Sequence, residues 1–504
     1  MLLLDVVTAS GAVAATRSRK AKVSAIADLL AAASPAELPV VAAWIGGSLR
    51  QRRTGLGWRS MTDLPDGADT ASLDVLQVDA AFESLSTLAG PGSQLARKAA
   101  TDDLFGRATA AEQAWLRGVV TGAVRQGALD ALVQEGVAAA AGLPLDVVRR
   151  AAMLAGSTTA IVETAFAEGA DGLARIGLEV GRPVLPMLAS SEPDVATAFA
   201  RTGGERVAVD HKLDGIRIQA HKRGEVVSLA TRTLEDITDR LPEVVAVVRS
   251  LPADALVLDG EAIALGDDGR PRPFQETASR TASGVGSGAG AHITPYFFDL
   301  LHLDGRDYLD APLSERIDAL ESLVPSEHLV PRVIADSPEA ADAASRAALA
   351  AGHEGVVVKA LGAPYAAGRR GAAWVKVKPV HTLDLVVLAV EEGSGRRRGW
   401  LSNIHLGARD PDTGEFVMLG KTFKGMTDEM LAWQTQRFTE LMTERNDWVV
   451  TLRPEQVVEI AFDGVQRSSR YPGGVALRFA RVVRYRDDKP IEEIDTIDTV
   501  RSFL

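Results

Sequence analysis

The sequence contains no cysteine among its 504 residues. Disulfide bonds, thiolate nucleophiles and zinc sites with cysteine ligands are therefore excluded. Aromatic residues are scarce, and no apolar run approaches the roughly 18 residues that span a bilayer. The first residues resemble a signal peptide only superficially, because Asp5 interrupts a short apolar stretch that no basic segment precedes. These absences predict a cytoplasmic protein without a membrane partner.

The length of the chain suggests about three domains, at roughly 150 residues each. An apolar content of 46% is typical of a soluble globular protein. The net charge of −12 does not by itself suggest a nucleic-acid partner, although net charge is a poor guide to local potential. Basic clusters occur at 16–22, 50–53 and 395–399, and each alone is typical of a solvated helix face or loop.

The pattern of apolar and polar residues divides the chain into three segments. Residues 1–173 are rich in alanine and leucine at helical spacing, which predicts an all-helical domain. Residues 174–380 alternate apolar and polar residues in short runs, with helical stretches between them, which predicts an α+β domain with antiparallel sheets. Residues 381–504 contain short strands separated by turns, typical of a small β-barrel of the OB type. The glycine-rich run at 284–290 predicts a mobile loop.

A set of short motifs occurs in one order after residue 205. The motifs are HKLDGIR at 211–217, TRTLEDIT at 231–238, LDGEAIAL at 258–265, YFFDLL at 296–301, HEGVVVK at 353–359, WVKVK at 374–378 and RFARVVRYRDDKP at 478–490. Each alone has an ordinary explanation, such as a surface turn or an amphipathic strand. In this order they resemble the covalent nucleotidyltransferase superfamily, and more closely the ATP-dependent DNA ligases of the three-domain, archaeal and eukaryotic type, which bacteria carry as accessory enzymes.

The resemblance implies a fold and a reaction. The fold would be an all-α N-terminal DNA-binding domain, an α+β nucleotidyltransferase domain (ATP-grasp-like, with antiparallel sheets) and a C-terminal β-barrel OB-fold. The reaction would seal nicks in duplex DNA, during repair, replication and recombination, through a lysyl-AMP and then a DNA-adenylate. ATP and Mg²⁺ or Mn²⁺ would be required. The expected partner is nicked double-stranded DNA, with repair or clamp proteins that the sequence does not identify, and the expected state is a nucleoid-associated monomer.

The resemblance makes Lys212 the nucleophile that takes AMP from ATP. An amine must be neutral to attack, and a free lysine has a pKa near ~10.4, which burial and nearby cations can lower. Lys376 and Lys378 lie two residues apart on a predicted strand, so both are expected on one face, and the resemblance places them at the α-phosphate. Lys359 ends HEGVVVK, and the resemblance implies that it contacts AMP.

The other cavity residues follow from the same resemblance. Glu261 is expected just after a strand and Glu354 just before one, where they would organise Mg²⁺, which prefers hard oxygen ligands. Phe298 would stack on adenine, since strand alternation sends its neighbour to the opposite face. Asp210 stands where the family often has a glutamate that contacts the adenine amino group. Arg217 and Arg232 match the arginines that contact the ribose and, later, the nick phosphate in this family, a task that suits the bidentate arginine fork.

The last motif supplies Arg486 and Lys489, which the resemblance places at the departing pyrophosphate. Because the motif would lie on the OB domain, that domain must swing over the nucleotide. The stretch HTLDLVV at 381–387 matches the family's hinge and makes Asp384 the expected swivel. An arginine-rich edge strand, protected by its charges from aggregation, is the simpler alternative.

Three other functions remain open at this point. An NAD-dependent ligase shares the K-x-D-G motif but carries a zinc module with cysteine ligands, which this chain cannot form. An mRNA capping enzyme or an RNA ligase shares the nucleotidyltransferase core, usually without a long helical region in front. A non-catalytic DNA-binding scaffold would be favoured by loss of Lys212 or Glu261, and both are present.

Overall fold

The computed structural model describes residues 1–51, 53–124, 126, 130–266, 269–283, 292–366, 370–394 and 397–504. The predicted loop at 284–290 lies outside these residues, as do parts of the basic clusters at 50–53 and 395–399. No helix in the described ranges combines the length and the apolar content that crossing a bilayer would require.

The N-terminal region is helical, as predicted. Its helices are α1 Leu3–Ala15, α2 Arg19–Ala32, α3 Leu38–Ile45, α4 Val75–Thr87, α5 Ser93–Arg107, α6 Ala110–Val120, α7 Asp130–Ala141, α8 Leu145–Ala155 and α9 Val162–Ala174. Helix α6 shows how local sequence sets a boundary, because Thr109 and Glu112 form a capping box. The apolar faces of these helices meet in one core around Trp44, Phe82 and Phe105.

The middle region contains two five-stranded sheets with helices packed on them. Its elements are β1 Leu188–Ser191, α10 Val195–Arg201, β2 Val207–His211, β3 Ile216–Arg223, β4 Val226–Thr231, α11 Pro242–Ser250, β5 Ala255–Ala264, α12 Phe274–Ser283, β6 Ile293–Leu303, β7 Arg306–Asp307, α13 Leu313–Leu323, β8 Arg332–Ala335, α14 Pro338–Ala350, β9 Val356–Ala360 and β10 Arg370–Val377. The strand orders are β1-β10-β9-β2-β8 and β4-β3-β5-β6-β7. The pairs are antiparallel, as predicted, except that β1 runs parallel to β10.

The helical and middle regions share a small core. Met153 and Leu154 of α8 pack in one cluster with Met187, Tyr365 and Trp374 of the middle region. Each of the two sheets packs against helices over its own hydrophobic core. The side chains that support Trp374 therefore come from both sides of the residue 173/174 boundary that the sequence predicts.

The C-terminal region is rich in strands, as predicted. Its elements are β11 His381–Glu392, β12 Leu401–Arg409, β13 Phe416–Thr422, α15 Asp428–Leu441, β14 Met442–Asn446, β15 Val449–Leu452, β16 Val457–Phe462, β17 Gly464–Arg467, β18 Val475–Arg478, β19 Arg481–Tyr485 and α16 Ile497–Arg501. Strand β11 is long enough to pair antiparallel with β16 along its first half and with both β12 and β15 along its second half. Short 3₁₀ turns complete the chain at Trp58–Met61, Thr238–Arg240, Ser326–His328 and Ile491–Glu493.

Candidate active site

A cavity of about 370 Å³ opens between the two sheets of the middle region. Most of the residues that the motifs single out line it. These are Asp210, Lys212, Arg217, Arg232, Glu261, Phe298, Lys359 and Lys376. Polar and aromatic side chains thus converge from β2, β3, β5, β6, β9 and β10, whose order in the chain gave no direct sign of their proximity.

Lys212 follows the last residue of β2 and is fixed by its own backbone. Its N–H donates to the carbonyl of Gly355 at 2.9 Å, and the N–H of Glu354 donates to its carbonyl at 3.1 Å. Its Nζ donates to a carboxylate oxygen of Glu354. Gly355 has φ +142°, and a Cβ there would lie 2.3 Å from the carbonyl oxygen of Val377, so only glycine fits. The amine and its carboxylate partner are therefore held as one unit at the cavity.

Glu261 lies inside β5, opposite Arg217 on β3, and not after the strand as predicted. The strand continues because the apolar residues Ala262, Ile263 and Ala264 extend its buried face. Burial raises the pKa of the Glu261 carboxyl to about 7, although the charges of Lys212 and Arg217 act in the opposite direction. A carboxyl group this poorly compensated is a place where a bound cation would relieve the cost of its charge.

Glu261 and Glu354 suit a magnesium ion by their chemistry. The described residues include no cluster of three or more acidic, histidine or cysteine ligands. Mg²⁺ at a nucleotide site is usually held by only one or two carboxylates together with substrate phosphates and water. Two carboxylates beside a cavity of nucleotide size therefore fit this metal, and nothing in the donor set calls for a softer one.

Phe298 lines the cavity while Phe297 is fully buried in the core beneath the sheet, as strand alternation predicts. Phe298 meets Trp374 edge to face, with ring centroids 5.9 Å apart. The Nζ of Lys359 lies 4.4 Å from the first ring centroid and 4.1 Å from the second. Trp374 was missed by the sequence interpretation, yet it shares the period-two face of Lys376 in WVKVK, and that parity could have revealed it.

Asp210 is almost fully buried, and both of its carboxylate oxygens already contact cations of the protein. Arg332 donates to its two oxygens at 2.5 and 2.9 Å, and Lys359 lies 2.6 Å from Oδ2. Burial alone would raise the pKa of the Asp210 carboxyl, but the charges of Lys359 and Arg332 hold that pKa below its ordinary value. Any contact with an adenine amino group would share oxygens that two cations already hold. No motif pointed to Arg332.

Arg217 is likewise engaged by the protein. It donates to Asp259 at 2.6 and 2.9 Å and to the carbonyl of Met187 at 2.6 Å. Tyr365 donates to the same Asp259 carboxylate at 2.7 Å. Burial would lower the pKa of the guanidinium, but Asp259 and Tyr365 more than offset that effect and raise it. A ribose or phosphate would meet an arginine whose orientation is set in advance.

Five predicted residues are not part of the cavity lining: Glu354, which reaches the cavity only through its bond to Lys212, and Lys378, Asp384, Arg486 and Lys489. Lys378 pairs with Asp463 of the C-terminal region instead of sharing the cavity face of Lys376, because β10 ends at Val377 and strand alternation ends with it. Arg486 and Lys489 bond to Asp384 in a separate cluster.

Asp384 lies within β11, where it pairs with Glu459 of β16. The expected swivel is thus part of a hydrogen-bonded ladder. The chain that joins the middle and C-terminal sheets is the short stretch 378–380 before it.

The C-terminal region reaches the cavity through another residue. Arg478, at the end of β18, donates to the two oxygens of Asp214 at 2.6 and 3.2 Å. Asp214 belongs to the K-x-D-G motif and lines the cavity. Arg478 opens the last sequence motif, but it was not singled out, because nothing in a linear motif says which of its arginines faces another domain.

Comparisons with known proteins agree with this geometry. Residues 186–378 match the family model described as the ATP dependent DNA ligase domain, and residues 397–489 match the ATP dependent DNA ligase C terminal region. The chain is 70% identical to the probable DNA ligase of Nocardioides sp., over all of this chain and 99% of that protein. It is 66% identical to the probable DNA ligase of Kineococcus radiotolerans, over 99% of each.

A solved structure named Pmar-Lig_PreS3 has the same overall fold. It is 17% identical, covers 95% of this chain and 99% of its own, and superposes with a TM-score of 0.62. The matched regions contain the strands that carry the cavity and the segment that carries Arg486 and Lys489. The chain belongs to the ATP-dependent DNA ligase family.

Proposed function

We propose that this protein seals nicks in duplex DNA by way of an adenylate on Lys212. The observation that carries the proposal is the position of Lys212, whose amine meets Glu354 at the cavity and whose backbone N–H and carbonyl bond to Gly355 and Glu354, just before β9. Amine, carboxylate and cavity are what transfer of a nucleotide to a lysine requires.

In the first step the amine attacks the α-phosphate of ATP. The nitrogen–phosphorus bond forms, the bond to pyrophosphate breaks, and the amine loses a proton to solvent. Lys376 would stabilise charge that develops at the phosphate, and Phe298 and Trp374 would form the wall against which adenine lies. Arg486 and Lys489 would reach the pyrophosphate after the C-terminal region rotates about residues 378–380.

Glu261 and Glu354 would hold Mg²⁺ or Mn²⁺ together with the phosphates. Such an ion supplies charge neutralisation at phosphoryl oxygens. Both carboxylates also have roles that do not need the ion. Glu354 positions Lys212, and the carboxylate of Glu261 is stabilised by the nearby charge of Arg217. In the later steps AMP passes to the 5′-phosphate of the nick and the 3′-hydroxyl then displaces it.

The three regions would divide the work as three domains, at residues 1–173, 174–380 and 381–504. The first would grip DNA, the second would carry the nucleotide, and the third, with strands in the manner of an OB-type barrel, would close on the duplex. Binding through phosphates would be insensitive to sequence and strongly dependent on salt. Nicks from repair, replication and recombination share the same ends and would all be substrates. A monomer suffices for this scheme.

The test follows one phosphorus atom. Protein incubated with α-labelled ATP should become labelled, and addition of unlabelled nicked duplex with excess cold ATP should move the label to DNA and then to free AMP as sealed product appears. Equal labelling from NAD, or sealed product without a labelled protein stage, would contradict the proposal. Intact duplex, which offers no 5′-phosphate end, serves as the control and should leave the label on the protein.

A further inference from the structure

Two cations near the end of the chain share one carboxylate. Arg486 donates from Nη1 to the oxygens of Asp384 at 3.1 and 3.3 Å, and Lys489 donates from Nζ to Oδ2 at 2.8 Å. Arg486 also makes two bonds of 2.8 Å with Asp488. The Asp488 side chain is 62% exposed whereas that of Asp384 is only 13% exposed. Asp384 is therefore the shielded anion around which both cations are arranged.

The sheet holds Asp384 by its backbone and leaves its carboxylate for the cations. Its N–H donates to Oδ2 of Asp495 at 2.8 Å, and the N–H of Asp495 donates to its carbonyl at 2.9 Å. The ladder between β11 and β16 continues without interruption from His381 to Val386. Rotation of the backbone at Asp384 would break that ladder, so a swivel at this residue is physically costly.

Arg486 and Lys489, by contrast, lie in a turn beyond the end of β19. Both have long side chains that lose much rotamer freedom when they bind a phosphate. Without a common anion, two neighbouring cations also repel each other. A fixed carboxylate between them removes both obstacles before the substrate arrives, which is pre-organisation.

We propose that Asp384 is a positioning residue whose carboxylate aligns Arg486 and Lys489 for the departing pyrophosphate. All three residues lie on the C-terminal sheet or the turn attached to it, so they move together when residues 378–380 rotate. The inference rests on the proposed function, because it assumes that the two cations neutralise the pyrophosphate while the Lys212–phosphorus bond forms. Asp384 itself touches neither ATP nor DNA.

The experiment compares two reaction steps in the full-length chain. Asp384→Asn keeps the shape and the backbone bonds but removes the charge. We expect single-turnover formation of lysyl-AMP to slow by about 10- to 100-fold, with the loss in the rate constant at saturating ATP. Sealing of a nick that already carries a 5′-adenylate should stay within about twofold of the unchanged chain, and Asp384→Glu should recover part of the first step.

A neighbouring carboxylate provides the matched control. Glu459 faces Asp384 across the ladder and accepts a bond of 2.7 Å from Arg484. Glu459→Gln removes a charge from the same place on the sheet but breaks no hydrogen bond to Arg486 or Lys489, so both steps should stay within about twofold of the unchanged chain.

Two results would overturn the inference. Unchanged or faster adenylation by Asp384→Asn would mean that the carboxylate does not align the cations. Equal losses in both steps would mean that it serves a hinge or the fold. Arg486→Ala distinguishes failure of the inference about Asp384 from failure of the proposed function. If that variant adenylates normally, Arg486 does not act on pyrophosphate, and that part of the proposed function is wrong. If it is slow while Asp384→Asn is normal, only the positioning role fails.

Discussion

The cations of the middle region and those of the C-terminal region are paired in different ways. Around the cavity, the pair of Asp210 and Lys359 is buried on both sides, and Arg217, which is 15% exposed, pairs with the buried Asp259. Near the end of the chain, Arg486 and Lys489 are held at a surface turn by one shielded and one exposed carboxylate. Buried pairs are costly to separate, whereas exposed pairs exchange partners at little cost.

This contrast matches two tasks in the proposed mechanism. A nucleotide pocket must keep its shape through three steps, and anions buried within the protein fix its cations permanently. Pyrophosphate is present only in the first step, so the groups that meet it must be able to leave. The two regions should therefore respond differently to mutation. Substitutions around the cavity of the middle region should abolish the chemistry or destabilise the fold, whereas substitutions at Arg486 and Lys489 should slow only the first step.

The largest expected effect is loss of all self-adenylation in Lys212→Ala. Its amine contacts Glu354 and no buried anion, so the variant should fold normally. Labelling by α-labelled ATP should fall below detection, while a pre-adenylated nick should still be sealed. Label retained on another lysine would contradict the assignment, and Lys421→Ala, a lysine that pairs with Glu391 and does not line the cavity, should label normally.

Asp210→Asn sharpens the contrast in stability. Removal of this charge leaves Arg332 and Lys359 buried without a counterion, so the free energy of unfolding should fall by about 3 kcal/mol. Chemical denaturation followed by circular dichroism measures it. Glu392→Gln, which breaks an exposed pair with Arg445, is the comparison and should leave the unfolding midpoint unchanged. Equal effects would show that the two kinds of pair do not differ as argued.

Glu261 gives the pocket a pH dependence. Its pKa is about 7 in the folded chain and 4.5 ordinarily, so between these values the folded state binds the extra proton. Stability from this group is therefore present at low pH and is lost as the pH rises through 7. In metal-free buffer Glu261→Gln should match the unchanged chain at pH 4 and exceed it by about 3 kcal/mol at pH 8. A difference that does not grow with pH would contradict the shift.

Arg478→Ala tests the contact between the two regions. Loss of its two bonds to Asp214 should lower the affinity for nicked duplex by about tenfold, because the C-terminal region would no longer be held against the cavity. Adenylation should change little, since in the proposed mechanism the region rotates for that step until Arg486 and Lys489, and not Arg478, face the nucleotide. Arg484→Ala removes an exposed arginine from the same sheet and should bind DNA normally. A matching loss of adenylation would assign Arg478 to the nucleotide instead.

The smallest effect concerns the helical region. Arg17 and Lys20 are exposed cations at the start of α2, and Arg17→Ala with Lys20→Ala should flatten the salt dependence of nick binding by about one unit per lost phosphate contact. Point variants are needed, because removal of residues 1–173 would strip Met153 and Leu154 from the core that supports Trp374. Lys98 forms an ion pair with Asp102, so Lys98→Ala should leave the salt dependence of nick binding unchanged.

Local patterns predicted much of this molecule. Helical spacing gave the helical region, alternation gave the strands and the opposite faces of Phe297 and Phe298, and the ordered motifs gave the residues that meet at the cavity. Contacts between distant segments could not be predicted that way. Arg332 and Tyr365 belong to none of the motifs, and nothing in the motif that contains Arg478 distinguishes that arginine from the others. Their partners depend on which strands become neighbours in the folded chain.

The connection of residues 378–380 between β10 and β11 also sets a distance. Three extended residues span at most about 10 Å, so Arg486 and Lys489 never diffuse away from the nucleotide in any rotational state. In the proposed mechanism, their encounter with pyrophosphate is intramolecular and has an effective concentration in roughly the millimolar range or above. A longer insertion at this place would dilute the two cations without altering either side chain, which makes tether length a way to tune the first step alone.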